Sequence, residues 1–156
     1  YHNTVTSNVS GSPAVHPSGP YSNVHFRNNV LVGRAAAAVS DDAGESLTGC
    51  SFDGDLVWSD YPALFRWKGV NYTTLAALRT ATGFETNGTT GAPAFVDAAA
   101  GDLRLQPGSP GVDAARILPG INDDYLGAAP DCGAFETSPN AADLVPPARV
   151  IDLDVR

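Results

Sequence analysis

The sequence predicts an all-β chain, built as coils of a parallel β-solenoid with one short docked helix and an end cap. Three observations carry that expectation. The chain holds 16 Gly and 12 Pro among 156 residues, and long apolar runs are rare, so turns and short strands are favoured over helices. An aromatic, polar, apolar unit recurs as Tyr1-His2-Asn3-Thr4-Val5, Phe26-Arg27-Asn28-Asn29-Val30 and Phe52-Asp53-Gly54-Asp55-Leu56, at spacings of 25 and 26 residues. Gly101 to Asp113 is a short strand, Leu103 and Leu105 alternating with Arg104, bracketed by Gly-Asp and Pro107-Gly108-Ser109-Pro110.

A spacing near 25 fits one coil whose equivalent strands stack about 4.8 Å apart. In that register Val30 and Val32 correspond to Leu56 and Trp58 on one strand face. Thr4, Asn29 and Asp55 then stack at a corner, where a small polar side chain hydrogen-bonds its own main chain or the next rung's. Ordinary antiparallel hairpins with turns of similar spacing are the alternative.

Charge bounds the partners. Nine Lys and Arg against 17 Asp and Glu give a net charge of −8, which opposes a nucleic-acid backbone. Only Lys68 is a lysine and no two arginines are adjacent, so there is no basic patch. A run of about 18 or more apolar residues is missing, which removes a membrane span. With no Met and no charged-then-apolar leader, the chain reads as a piece of a longer protein.

The elements follow in order. Gly33 to Gly44, with four alanines between two glycines, reads as a loop or a single helical turn. Asp41-Asp42 reads as a solvated loop rather than a cation site. Phe65 and Trp67 alternate across Arg66 as a half-buried strand. One helix follows, with Asn71 or Thr73 as N-cap, Leu75 and Leu78 on one face and Gly83 as its stop. Ala92 to Asp97 is a further short strand, and Gly101 to Asp113 becomes the last rung and the start of a lid. Residues 1–136 form this unit, 137–147 a Pro-rich linker, and 148–156 the start of a following module or tail. Cys50 and Cys132 pair as one disulfide or act as two buried thiols. Glycosylation patterns at Asn8, Asn71 and Asn87 are compatible with secretion.

Phe65-Arg66-Trp67-Lys68-Gly69, the helix to Gly83, Pro93-Ala94-Phe95, Gly101-Asp102-Leu103-Arg104-Leu105, Pro107-Gly108-Ser109-Pro110 with Asp113, and Pro130-Asp131-Cys132-Gly133-Ala134-Phe135-Glu136 occur in this order. Together they resemble the C-terminal part of right-handed parallel β-helix proteins of the bacterial pectate-lyase-like group, including the choice-of-anchor type. The resemblance implies a right-handed three-sheet coil, secretion or surface display, and a polysaccharide as substrate or ligand. It further implies the C-terminal part of a polysaccharide lyase or glycoside hydrolase whose active site lies mainly upstream. The alternative is a non-catalytic glycan-binding adhesin or a structural surface or fibre protein. No cofactor is expected in this stretch, with calcium an option for the parent protein. The expected partners are the upstream part of the same β-helix, covalent or as a separate chain, and a polysaccharide.

No catalytic motif of the group is matched residue by residue. His25 and Arg27 are the leading candidates, because residues i and i+2 of a strand share a face and set an imidazole beside a guanidinium. Asp53 and Asp55 share that spacing one coil on, as a cation site or a hydrolase pair requires. Solvated outer positions and turn caps are the alternative for both pairs. Tyr61, Trp67 and Tyr72 are candidates for stacking on sugar rings, or pack the helix onto the sheets.

Overall fold

The computed structural model describes residues 1–7, 9–42 and 47–137. The strands are short: β1 (Thr4–Thr6), β2 (Tyr21–Ser22), β3 (His25–Arg27), β4 (Val30–Gly33), β5 (Val39–Ser40), β6 (Leu47–Thr48), β7 (Ser51–Asp53) and β8 (Leu56–Ser59). Then come β9 (Phe65–Trp67), β10 (Val70–Tyr72), the helix α1 (Leu75–Thr82), β11 (Thr89–Thr90), β12 (Phe95–Asp97) and β13 (Asp102–Leu105).

The expected right-handed parallel β-helix is not what these strands build. They form five separate sheets that mix parallel with antiparallel pairing, and no closed sheet or solenoid results. The repeat does act locally. Val30 to Val32 pairs parallel with Leu56 to Trp58, β3 pairs parallel with β7, and β5 with β9. Beyond β9 the local chemistry departs from the repeat. Lys68 and Gly69 both take positive φ, 49° and 75°, which closes a two-residue hairpin and sends β10 back antiparallel to β9. Asp97 then starts a single 3₁₀ turn, Ala98–Ala100, and β13 folds back antiparallel onto β12 instead of stacking as another rung.

The register also corrects the repeat. Thr4 lies opposite Val30, so the first spacing is 26, like the second, and Asn3 stands where Thr4 was expected. The helix is capped one residue later than expected: Thr74 Oγ1 accepts from Ala77 N at 3.2 Å, while Gly83 ends the helix as read. Leu75 and Leu78 are its buried residues, which matches the single apolar stripe.

The core has two parts. One gathers Leu31, Val39, Phe52, Val57, Phe65, Trp67, Leu75 and Leu78. Within it Phe26 stacks on Phe52 with centroids 4.4 Å apart, and Phe65 and Trp67 meet Phe52 edge-on. The other joins Val30, Val32, Leu56, Leu105 and Cys132. Gly101 to Glu136 closes over this second part. Asp113 Oδ1 accepts from Ala128 N at 2.7 Å, Asp131 Oδ1 accepts from Asp113 N at 2.7 Å, and Glu136 accepts from Leu126 N and Asp131 N. The lid residues Asp113 and Ser109 thus tie distant segments together, Ser109 Oγ accepting from Ala94 N at 3.2 Å. Cys50 and Cys132 are both free thiols. Almost all of the expected linker and following module lies outside the described residues.

Candidate functional site

Strands β3 and β7 place four chemistry-bearing side chains together. Their parallel register sets His25 opposite Ser51 and Arg27 opposite Asp53. Phe26 and Phe52, between them, turn inward and stack, so the alternation of a strand sends the polar pairs to the outer face. His25 Nδ1 lies 2.8 Å from Ser51 Oγ, and Arg27 Nη2 donates to the same oxygen at 2.6 Å. Arg27 Nη1 also donates to the main-chain oxygens of Phe26 (2.6 Å) and Ser51 (3.1 Å), which lays the guanidinium against β7.

Asp53 extends the cluster. Its carboxylate accepts from Asn87 N and Nδ2 at 2.8 and 3.0 Å and pairs with the Arg116 guanidinium. Burial pushes the Asp53 carboxyl up, but the Asn87 bonds and Arg116 more than offset it and hold it below the ordinary carboxylate value. Arg116 is anchored from beneath. The buried Asn28 accepts from Arg116 N at 3.0 Å and donates to Arg116 O at 2.8 Å. The outer face thus carries one imidazole, two guanidinium groups, a hydroxyl, a carboxylate and an amide.

Asp55 does not join it. Gly54, at φ 76°, turns the chain between β7 and β8, and a Cβ there would meet Asn28 Oδ1 at 2.7 Å. Beyond that turn Asp55 faces the interior, fully buried. There it continues a ladder: Asn29 Oδ1 accepts from Asn3 N (2.9 Å), Asp55 Oδ1 accepts from Asn29 N (2.7 Å), and Glu85 Oε2 accepts from Asp55 N (3.1 Å). Asp55 Oδ2 and Glu85 Oε1 are buried and receive no other hydrogen bond. Burial, and for Glu85 also the Asp55 charge, raises both carboxyls, Glu85 well above its ordinary value. Sharing a proton between the two carboxyls is the arrangement that would supply the missing donor, and it is tested below.

The aromatic candidates are not brought together. Trp67 is buried among Phe52, Phe65 and Phe84, Tyr72 packs against the core from β10, and Tyr61 alone is exposed, beside Arg66, Asp42 and His16 in a cleft of about 400 Å³. Among the described residues no group of three or more His, Cys, Asp or Glu is placed to hold a metal ion, and no helix is long and apolar enough to cross a membrane.

The chain matches no protein-family model, no curated protein and no solved structure. The resemblance to the pectate-lyase-like group rests on its residues alone.

Sequence reasoning missed Ser51, Asn87 and Arg116. Ser51 lies 26 residues from His25, so the corrected repeat carries a signal for it. Arg116, 88 residues from the Asn28 that anchors it, has none.

Proposed function

We propose that this chain recognises an acidic carbohydrate on the outer face of β3 and β7. The observation that carries this is the convergence of His25 and Arg27 on Ser51 Oγ, with Arg116 held beside them at Asp53. On a chain of net charge −8, two guanidinium groups and an imidazole on one exposed face form a local site for a carboxylate. Asp53, Asn87 and Ser51 add the acceptors and donors that read sugar hydroxyls. This is the carbohydrate-active role that the resemblance implies, in a protein expected to be secreted or displayed on a bacterial surface.

The reading is binding rather than cleavage. A Ser–His contact can begin a nucleophile–base pair, but such a pair needs a third group to orient the imidazole. Among the described residues none is hydrogen-bonded to His25 Nε2, and the Arg27 bond draws electron density from Ser51 Oγ.

The test is affinity electrophoresis of the chain through polygalacturonate and through its methyl-esterified, neutral counterpart. Retardation by the acidic polymer, relieved by salt, is expected, with Arg27→Ala binding roughly tenfold more weakly and Arg27→Lys in between. Equal mobility in both polymers, or equal retardation of wild type and Arg27→Ala, would overturn the proposal.

A further inference from the structure

A second sheet carries a cleft with its own set of polar side chains. Parallel pairing sets Val39 and Ser40 of β5 opposite Phe65 and Arg66 of β9, and Val15 bridges Val39, also in parallel. Val39 and Phe65 belong to the core, and Val15 packs against it. By strand alternation the residues that follow, His16, Ser40 and Arg66, face the other way, and all three line a cleft of about 400 Å³ with Asp42 and Tyr61. Small-ligand pockets span about 300–1,000 Å³. β5 lies between the Val15 bridge and β9, and β9 between β5 and β10, so the cleft sits on the face of a paired sheet and not at an open edge.

Its rim is held in place from below. Ser59 Oγ donates to Ala36 O at 2.5 Å and accepts from Tyr61 N at 2.9 Å, and Asp60 accepts from Ala35 N, which ties the Tyr61 turn to the alanine loop. Ala36 and Ala37 line the cleft, and side chains this small leave room beside Tyr61, which is 43% exposed. The same cleft holds an ion pair, Arg66 Nε to Asp42 Oδ1 at 2.9 Å, and Ser40 Oγ donates to that oxygen at 3.1 Å. Among the described residues neither Nη of Arg66, the His16 imidazole nor the Tyr61 hydroxyl has a hydrogen-bond partner.

We propose that this cleft is a second binding site, for a neutral hexopyranoside. The apolar face of the sugar ring stacks on Tyr61. Adjacent hydroxyls donate to the Asp42 carboxylate and accept from the unoccupied edge of the Arg66 guanidinium. Charge selects a neutral ligand: Asp42 cancels Arg66 and repels a second carboxylate, whereas the outer face of β3 and β7 sets two guanidinium groups against one carboxylate. The two sites share no residue, and this one stands without the acidic-carbohydrate reading.

The probes are galactotetraose, cellotetraose and mannotetraose, with tetragalacturonate as the acidic comparison, each titrated into the isotopically labelled full chain at neutral pH and followed by NMR. Saturable shifts with at least one neutral sugar are expected, centred on Ala36, Ser40, Tyr61 and Arg66. Tyr61→Ala should bind at least roughly tenfold more weakly, and Tyr61→Phe within about threefold of wild type, because the ring and not the hydroxyl is the platform. Arg66→Lys, which keeps the charge and loses the fork, should fall between them. Arg27→Ala should leave these titrations unchanged. Tyr61→Ala should leave retardation by polygalacturonate unchanged, which separates the two sites and shows that the variant is folded. No saturable shift with any of the three neutral sugars, equal binding by wild type and Tyr61→Ala, or loss of binding in Arg27→Ala would overturn the proposal. Tighter binding of tetragalacturonate at the same residues would also overturn it, by making the cleft an anion site.

Discussion

Asp53 and Asp55 are two residues apart, yet one lies on the outer face with Arg116 and Asn87 and the other is sealed inside against Glu85. Their titrations move in opposite directions, Asp53 below its ordinary value and Asp55 above it. Identical side chains thus diverge because Gly54 turns the chain between them. Outside, solvent and a guanidinium stabilise the charge. Inside, the carboxyl is useful for the hydrogen bonds it accepts, and its charge is a cost.

The largest test of this contrast is Asp55→Ala. It removes the acceptor for both Asn29 N and Asn29 Nδ2 and leaves two buried donors unsatisfied. A loss of about 2–4 kcal/mol is expected in urea unfolding, whereas Asp53→Ala should cost about 1 kcal/mol or less, because its partners can turn to water. Equal losses would mean that the interior ladder is no more demanding than the surface cluster.

Glu85→Gln separates the hydrogen bond from the charge. Glutamine keeps an oxygen for Asp55 N and offers an amide N–H to Asp55 Oδ2. Glu85 has a raised folded pKa, so its favourable contribution is present below the unfolded value and fades as pH rises toward the folded one. The wild type should therefore lose stability relative to Glu85→Gln as pH rises above about 4, with a slope of at most about 1.4 kcal/mol per pH unit for one proton. Unfolding midpoints of the two chains across pH would show the gap opening. Parallel pH profiles would exclude the shared proton.

The same contrast explains what the sequence could convey. The 26-residue recurrence marked strands that do pair in parallel, β4 with β8 and β3 with β7, because apolar residues at fixed spacing must stack to be buried. It did not convey architecture beyond β9, where Lys68-Gly69 and the Ala98 turn override the repeat through local backbone geometry. The single-residue shift from Thr4 to Asn3 shows why: small polar residues are adjacent at each corner, and only the pairing decides which one enters the ladder. His25 and Arg27 were legible as a shared strand face. Their focus on Ser51 was not, since hydrogen bonding across strands depends on the register. Arg116 reaches the site through Asn28 from the far end of the chain, a connection no local pattern encodes.

The smallest expected effect is that of Arg116→Ala. The Arg116–Asp53 pair is partly exposed, with the Arg116 side chain 45% accessible, so screening limits its net worth to less than about 1 kcal/mol, and less still at high salt. The informative readout is the Asp53 titration, followed by carboxyl NMR shifts. Burial opposes ionisation there, and the Asn87 bonds offset it together with Arg116. Losing the guanidinium should move the carboxyl up, toward its ordinary value. A lowered folded pKa contributes stability above the unfolded value that is lost as pH falls through the folded one, so the variant should show a shallower loss on acidification than the wild type. Glu85→Gln flattens the opposite limb, where stability falls as pH rises. Two substitutions on either side of Gly54 should thus act on opposite limbs of one pH–stability curve, and an Asp53 titration unmoved by Arg116→Ala would leave Asn87 as the group that holds the outer carboxylate in its charged form.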